Sequence, residues 1–463
     1  MPQIFTVTKS KNSETIPIVI LNEKSFPIWL KKQQKQTQQW LKINDFKVKA
    51  GNFCLIPKDN ISIGLIVTIV EEKTNIWSIS HLPTKIPEGS YAIEGKFDNT
   101  EKFNLTLGWA LASYKFSKYK KNIATYPKLV APKNVDLNAV KSFFESICWA
   151  RDLINTPAND MTTDELANEA TSWAKSNKAK IKIIKGENLL KENYPMIYTV
   201  GKASSNPPYL VDINFPRKNS PKITLVGKGV TFDTGGLDIK PTSSMRLMKK
   251  DMGGAANILA LAKMIIDGDI PVQLRVLLPI AENSVAGNAM RPLDIVKTRK
   301  GISVEIGNTD AEGRLILCDA LFEADKEKPD LLIDCATLTG AARVALGTDI
   351  PAFFTNDDKL ATKLSKISEQ ESDPLWRLPL WADYREYLSS KNADISNDSS
   401  SPYGGAITAA LYLQEFVDIK TSWLHIDMMA WNLQDRAGRP QGGEAMGIRA
   451  LYRLIKENYG NKH

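Results

Sequence analysis

Three short segments of this chain gather residues able to bind divalent cations and polarise a bond to oxygen. In LVGKGVTFDTGGLDIKP, residues 225–241, a strand-like run enters a Gly-rich loop carrying Lys228, Asp233 and Lys240. Glycines let such a loop turn tightly and approach a ligand. A phosphate cradle is the rival reading, but GxxxxGK[ST] is absent and no helical pattern directly follows the paired glycines. In GNTDAEGRLILCDAL, residues 307–321, Asp310, Glu312 and Arg314 occupy alternate positions. An extended backbone there would point all three to one side. Two carboxylates on one face repel unless a cation lies between them, and an arginine alone usually forms a surface ion pair worth under about 1 kcal/mol.

The third segment, MRLMKKDMGGAANILALAK at 245–263, places Asp251 where a helix opens. A lone acid there would ordinarily cap the helix, for about 1 kcal/mol. The company of Asp233, Asp310 and Glu312 favours a different reading, four carboxylates that hold and bridge two divalent ions. Two metals about 3.5–4 Å apart generate hydroxide near neutral pH and clamp the oxygens of a hydrolytic transition state, so hydrolysis is the expected reaction class. The three histidines, His81, His425 and His463, are far apart in sequence, so a histidine-built zinc site is not expected. Lys228 could supply nitrogen instead. It coordinates only when neutral, and adjacent dications would lower its pKa towards that state.

These residues need a scaffold. From about residue 140 strand-like runs (KIKII, YLVDINF, KITLVGKG, QLRVLLPI, LLIDCATL) alternate with helical ones (NILALAKMII, EGRLILCDALFEA). Near-continuous apolar strands separated by helices predict a buried, mainly parallel sheet flanked by helices. Ligands of such sheets sit beyond the carboxyl ends of the strands. Lys228 and Asp233 follow ITLVG, and Asp310 and Glu312 follow ISVEI just before a helical pattern.

The earlier part mixes β-rich IPIVIL, NFCLI, SIGLIVTIV and IWSIS with a helical stretch, FPIWLKKQQKQTQQWLKI, whose Trp29, Leu30 and Trp40 can share an apolar side. The stretch YPKLVAPKNVD at 126–136 reads as a linker or the entry to a connecting helix. At 463 residues the chain exceeds what one core usually serves. The expected fold class is therefore α/β in two domains: a smaller amino-terminal α/β domain, 1–140, and a larger catalytic domain, 141–463.

Residues 1–145 hold 21 Lys, no Arg and 12 acids, so the net charge of +8 resides in the first domain. A DNA-binding or regulatory role is one reading of that excess; the plainer one is a lysine-rich solvated surface. Cys54, Cys148, Cys318 and Cys335 are scattered without CxxC spacing and read as reduced core residues. MPQIFTVTKS lacks the pattern of an export signal, and no apolar run approaches the roughly 20 residues of a membrane span. A cytoplasmic enzyme without a membrane role is expected.

At these motifs the sequence resembles the leucyl aminopeptidase, or cytosol aminopeptidase, family, whose NTDAEGRL octapeptide stands unchanged at 308–315. The likeness extends through RDLINTPAND (151–160), VGKGVTFDTGG, MKKDMGGAA, RPLDIV (291–296), ATLTGA (336–341) and YGGAITAALYLQEF (403–416), essentially the whole second domain. The resemblance implies a hydrolase that removes the N-terminal residue of peptides, Leu and Met preferred, with two divalent ions, Mn²⁺ or Zn²⁺. It assigns Lys228, Asp233, Asp251 and Glu312 to the tighter ion and Asp233, Asp310 and Glu312 to the more exchangeable one. Lys240 would polarise the scissile carbonyl, and Arg314 would anchor a bicarbonate acting as general base. Met248, Thr337, Gly340 and Met446 match the first side-chain pocket, and Leu338 a contact to the peptide backbone. A homohexamer, two trimers face to face, is the implied assembly. The chain departs from the family pattern at FDTGG, at HIDMMAWN (425–432) and at GGEAMGIRA (442–450).

Overall fold

Most of the apolar runs seen in sequence become strands, chiefly of two large sheets, in a computed structural model that describes residues 5–9, 14–59, 62–120 and 125–460. The chain divides into two compact units. One takes residues up to Cys148 together with Gln434–Gln441, and the other takes Trp149–Leu433 and the remainder from Gly442. The division falls within the helix Leu137–Asn155.

The first unit is built on a six-stranded sheet in the order Val7–Thr8, Lys128–Val130, Ser90–Glu94, Ile16–Leu21, Ile63–Ile69, Phe53–Pro57. Three expectations are corrected here. Lys128–Val130, inside the stretch read as a linker, is a strand of this sheet. IWSIS forms turns, because Asn75 Oδ1 accepts from the Trp77 N–H at 2.7 Å and successive i→i+3 backbone bonds curl the chain. The Gln/Lys-rich stretch is two helices, Ser25–Leu30 and Lys35–Ile43, rather than one. Gln38 Nε2 reaches back to the Gln33 carbonyl at 2.9 Å across the break. Trp29 and Leu30 pack against Phe26 and Leu41, whereas Trp40 is part-exposed and donates to the Leu55 carbonyl.

The second unit carries a nine-stranded mixed sheet. Its path runs Trp376–Arg377, Ala352–Thr355, Trp423–Asp427, Leu331–Ala336, Lys222–Gly227, Gln273–Asn283, Tyr209–Phe215, Lys180–Lys185, with Gly229–Asp233 paired to the far end of Gln273–Asn283. The four adjacent strands from Trp423–Asp427 to Gln273–Asn283 are mutually parallel, and antiparallel pairs lie towards the edges. Every residue of Leu331–Ala336 is buried, as a strand covered on both faces requires. The helix Gly253–Asp267 packs on the two central strands.

One positional expectation fails. Ser303–Glu305 belongs to a small three-stranded sheet with Ile295–Lys297 and Ile395–Ser396, apart from the main sheet. Among the described residues no helix is long and apolar enough to cross a membrane. All four cysteines are buried. His81 and His425 are buried, and His463 lies outside the described residues.

Candidate active site

Because the central strands are parallel, their carboxyl ends share one edge, and the residues just past them converge there. Lys228 follows Lys222–Gly227, Thr337 and Leu338 follow Leu331–Ala336, and Asp233 ends the strand Gly229–Asp233. They open on a cavity of about 530 Å³ that is also lined by Lys240, Asp251, Asp310, Glu312 and Arg314. All seven residues expected to carry cation and catalytic chemistry thus face one space.

The backbone at 310–314 is not extended. Glu312 starts the helix Glu312–Asp325, so Asp310 precedes it in a turn and Arg314 sits in its first helical turn. Convergence comes from a helix start meeting the sheet edge, not from alternation along a strand. Carboxylate oxygens of Asp233, Asp310 and Glu312 lie within 4.8 Å of one another.

Lys228 is buried, with Nζ 2.7 Å from Asp251 Oδ2 and 2.9 Å from Glu312 Oε1, and it donates to the Thr337 carbonyl at 3.0 Å. Asp251 does not cap the following helix. It lies in the 3₁₀ turn Met248–Met252, the N-cap position is Met252, and its Oδ1 accepts from Thr337 Oγ1 at 2.7 Å. Asp233 is oriented by Asn283 Nδ2 (2.9 Å) and the Gly235 N–H (2.8 Å) on Oδ1, leaving Oδ2 2.8 Å from Lys240 Nζ. Lys240 also pairs with Asp310.

The electrostatics mark the cluster as short of positive charge. Burial, then repulsion from Asp233, lifts the Asp310 carboxyl to about 6 and holds Glu312 well above the ordinary range. Burial alone would depress the Lys228 ammonium, but Asp251, Glu312 and Asp233 outweigh it and raise its pKa. Burial works against the Lys240 ammonium too, but Asp233 and Glu312 outweigh it and raise its pKa. Asp251 Oδ2, Asp310 Oδ1 and Glu312 Oε1 are buried, and each meets a lysine ammonium. Clustered carboxylate oxygens of this kind suit divalent cations.

Arg314 lines the same cavity with Nη1 donating to the Asn397 carbonyl at 2.7 Å and a buried Nε that finds no acceptor among the described residues. Burial lowers its pKa from the ordinary arginine value. Met248, Thr337, Leu338 and Gly340 also line the cavity. Met446 does not: it is buried elsewhere, its N–H donating to Asn257 Oδ1 at 2.9 Å. The methionine that joins Met248 in the cavity wall is Met429. Its signal was present in sequence, since it lies two residues past Asp427, the end of a central strand. Sequence reading also passed over Asn283, Asn397 and Asp427; the last accepts from the Leu338 and Thr339 N–H groups and from Thr339 Oγ1. Lys250 and Arg343, two further cations in the wall, were missed as well. Burial, then the Arg343 guanidinium, pushes the Lys250 ammonium down to about 7.

Comparison with known proteins identifies the class of this arrangement. Residues 148–452 match the cytosol aminopeptidase family, catalytic domain, and residues 16–132 match the M17 aminopeptidase N-terminal domain. The protein is an aminopeptidase, a hydrolase that removes N-terminal residues from peptides. It is 39% identical over 335 residues to Peptidase B of Pectobacterium atrosepticum, covering 70% of this chain and 77% of the relative. A crystal structure of cytosol aminopeptidase from Coxiella burnetii superposes with a TM-score of 0.95 at 45% identity, over 98% of this chain and 99% of that one. The bottromycin maturation enzyme BotP, in complex with Mn, gives a TM-score of 0.85 at 28% identity, over 97% and 100% of the two chains. The chain belongs to the cytosol aminopeptidase family.

Proposed function

We propose that this aminopeptidase is of leucyl type and works with two divalent cations, Mn²⁺ or Zn²⁺. Lys228, Asp233, Asp251 and Glu312 would hold one, and Asp233, Asp310 and Glu312 the other. Such a pair supplies Lewis acidity to a hydrolytic site. The observation carrying the reading is the group of three carboxylates with oxygens within 4.8 Å of one another at the cavity. The Mn-bound state of BotP supports it by likeness.

The side chains then divide the work. Asp251, fixed by Thr337, would receive the free α-amine of the substrate, which would restrict cleavage to the first residue. Lys240 presents its ammonium to the scissile carbonyl and offsets charge developing on that oxygen. Arg314 Nε, buried without an acceptor, would hold bicarbonate as the proton-accepting group. Met248, Met429 and Leu338 give the wall an apolar portion suited to Leu or Met. Such a pocket separates side chains differing by one methylene by only about 1–3 kcal/mol, so specificity is broad.

We further propose a homohexamer. Val344 at 90% exposure, Tyr403 at 80% and Leu293 at 69% are apolar side chains suited to subunit contacts. The decisive experiment is hydrolysis of a leucyl-anilide by Mn²⁺- or Zn²⁺-loaded protein, loss of activity with chelator and return on re-addition. Full activity in protein shown to be free of metal refutes the two-cation reading.

A further inference from the structure

We infer that Asp398 is a specificity-determining residue that selects peptides whose second residue is basic. The inference rests on the reading above in which Asp251 receives the substrate's α-amine, and it concerns the part of the peptide that cleavage releases. Five acids line the cavity: Asp233, Asp251, Asp310, Glu312 and Asp398. The first four each meet a lysine ammonium. Asp398 differs. It is half-buried, and among the described residues its carboxylate makes no hydrogen bond or ion pair; only its N–H is engaged, donating to Ser396 Oγ at 3.1 Å. Its charge is felt by the Arg314 guanidinium, yet Arg314 Nη1 is given to the Asn397 carbonyl instead.

The order of contacts along the cavity gives a bound peptide its direction. Thr337 bonds Asp251, Asp251 meets Lys228, and Lys228 meets Glu312. Asp233 and Asp310 follow, joined through Lys240. With the α-amine at Asp251, the first side chain lies towards Thr337 and Leu338, and the scissile carbonyl lies towards Lys240. The chain beyond that bond runs past Asp310 to the segment 307–311. Asp398 stands at this end, for a Cβ placed on Gly307 would lie 2.8 Å from Asp398 Cβ.

The backbone that presents Asp398 is firmly held. Asn397 is fully buried; its Oδ1 accepts from the Gly307 and Asn308 N–H groups at 2.8 and 3.2 Å, and its Nδ2 donates to the Asn308 and Ala311 carbonyls at 2.8 and 3.3 Å. A carboxylate set next to such an anchor is preorganised, so little ordering cost falls on binding. An ammonium or guanidinium on the second residue supplies the partner that the protein does not, and a partly enclosed pair is screened less than an exposed one. An acidic second residue meets a like charge and is disfavoured.

The test uses full-length, metal-loaded protein and three substrates alike except in the second side chain: Leu-Lys-amide, Leu-Gln-amide and Leu-Glu-amide. kcat/KM should fall in that order, the lysine peptide exceeding the glutamine peptide by about tenfold, the size of one partly screened charge pair. This lysine-to-glutamine ratio should fall towards one in Asp398→Asn and below one in Asp398→Lys. Because each ratio is taken within one protein, differences in folding or metal loading cancel. In the unaltered protein the ratio should also shrink as salt rises from about 0.05 to 0.5 M, so the proposal is decided even if neither variant folds. A ratio near one in the unaltered protein, a ratio indifferent to salt, or one that Asp398→Asn leaves unchanged overturns it. The last outcome would show that Asp398 merely balances Arg314, a role that affects every peptide alike. Leucyl-anilide, which has no second residue, separates the two levels of the argument. If it is cleaved while the ratio is flat, only the role of Asp398 fails. If it is not cleaved, the leucyl-aminopeptidase reading fails and the peptides stay intact, so their Kd values, measured by calorimetry on the same proteins, supply the ratio that decides Asp398.

Discussion

Replacing Gly313 with alanine tests whether the Lys228 side chain must lie where it does. A Cβ at Gly313 would sit 2.6 Å from Lys228 Cε, 2.8 Å from Nζ and 2.9 Å from Cδ. Carbon atoms in contact prefer about 3.5–4.0 Å, so the end of the lysine must retreat by roughly 1 Å. A surface lysine would do so at no cost. This one is 3% exposed and is held at Asp251, Glu312 and the Thr337 carbonyl, so retreat pulls it out of the cluster. A misplacement of about 1 Å in a reacting constellation costs on the order of 10²-fold in rate. The effect on stability is smaller, because alanine in a helix gains about 1 kcal/mol over glycine while overpacking costs about 1–3 kcal/mol. The balance is a loss of at most about 2 kcal/mol, or a Tm drop below about 8 °C. The assay is kcat/KM on leucyl-anilide, with Tm and bound metal measured on the same samples. Gly287→Ala, where an added Cβ meets nothing within 4 Å, is the control and should change nothing. A Gly313→Ala protein with normal metal content and activity within about threefold of the parent would refute the reasoning, since 10²-fold is the loss expected of a misplaced group.

Asp310→Asn should lower kcat by about 10²-fold or more while leaving the Tm of metal-free protein unchanged or higher, because its carboxyl is already held up to about 6 by burial and by Asp233. A clear fall in that Tm would show the carboxylate to be a structural partner instead. His81 gives a pH signature. Burial, then Lys85, pushes its ring down to about 4 from 6.5, so the neutral ring's contribution is complete above pH 6.5 and is lost as pH falls towards 4. The loss amounts to about 3 kcal/mol. Urea midpoints at pH 7 and 4.5 should therefore differ less in His81→Asn than in the parent, and equal differences would count against the assignment. Arg151, fully buried, donates to Glu444 from Nε at 2.9 Å and Nη2 at 3.0 Å. Arg151→Met leaves that buried carboxylate without its cation, bonded only to Asn432 Nδ2 and the Ala445 N–H among the described residues, and should cost about 3–5 kcal/mol in chemical denaturation. Adding Glu444→Gln should recover part of the loss; no recovery would mean that packing, not charge, was at stake.

Local information made much of the second unit legible. Leu331–Ala336 and Lys222–Gly227 announce buried strands by continuous apolar composition, and Gly253–Asp267 a helix by its run of strong helix formers. IWSIS misled because its apolar residues suit a strand, while the Asn75 side chain, bonding to backbone two residues on, imposes turns. The break at residues 31–34 was hidden because lysine and glutamine are good helix formers. Met429 and Met446 are alike in sequence, and only packing decides that one lines the cavity and the other meets Asn257.

By itself the sequence determined which chemical groups were available: carboxylates and lysines in place of histidines, borne on segments whose strand and helix patterns bring them to element ends. Composition and short-range periodicity suffice for that, because both act within a few residues. Tertiary structure decided how the groups are used. Asp251 faces Lys228 rather than capping its helix, Asp310 and Glu312 meet through a helix start rather than an extended strand, and Lys250 and Arg343 come to share one cavity. Those outcomes depend on partners up to about a hundred residues away, such as Thr337 for Asp251, and no local pattern encodes a contact across that distance.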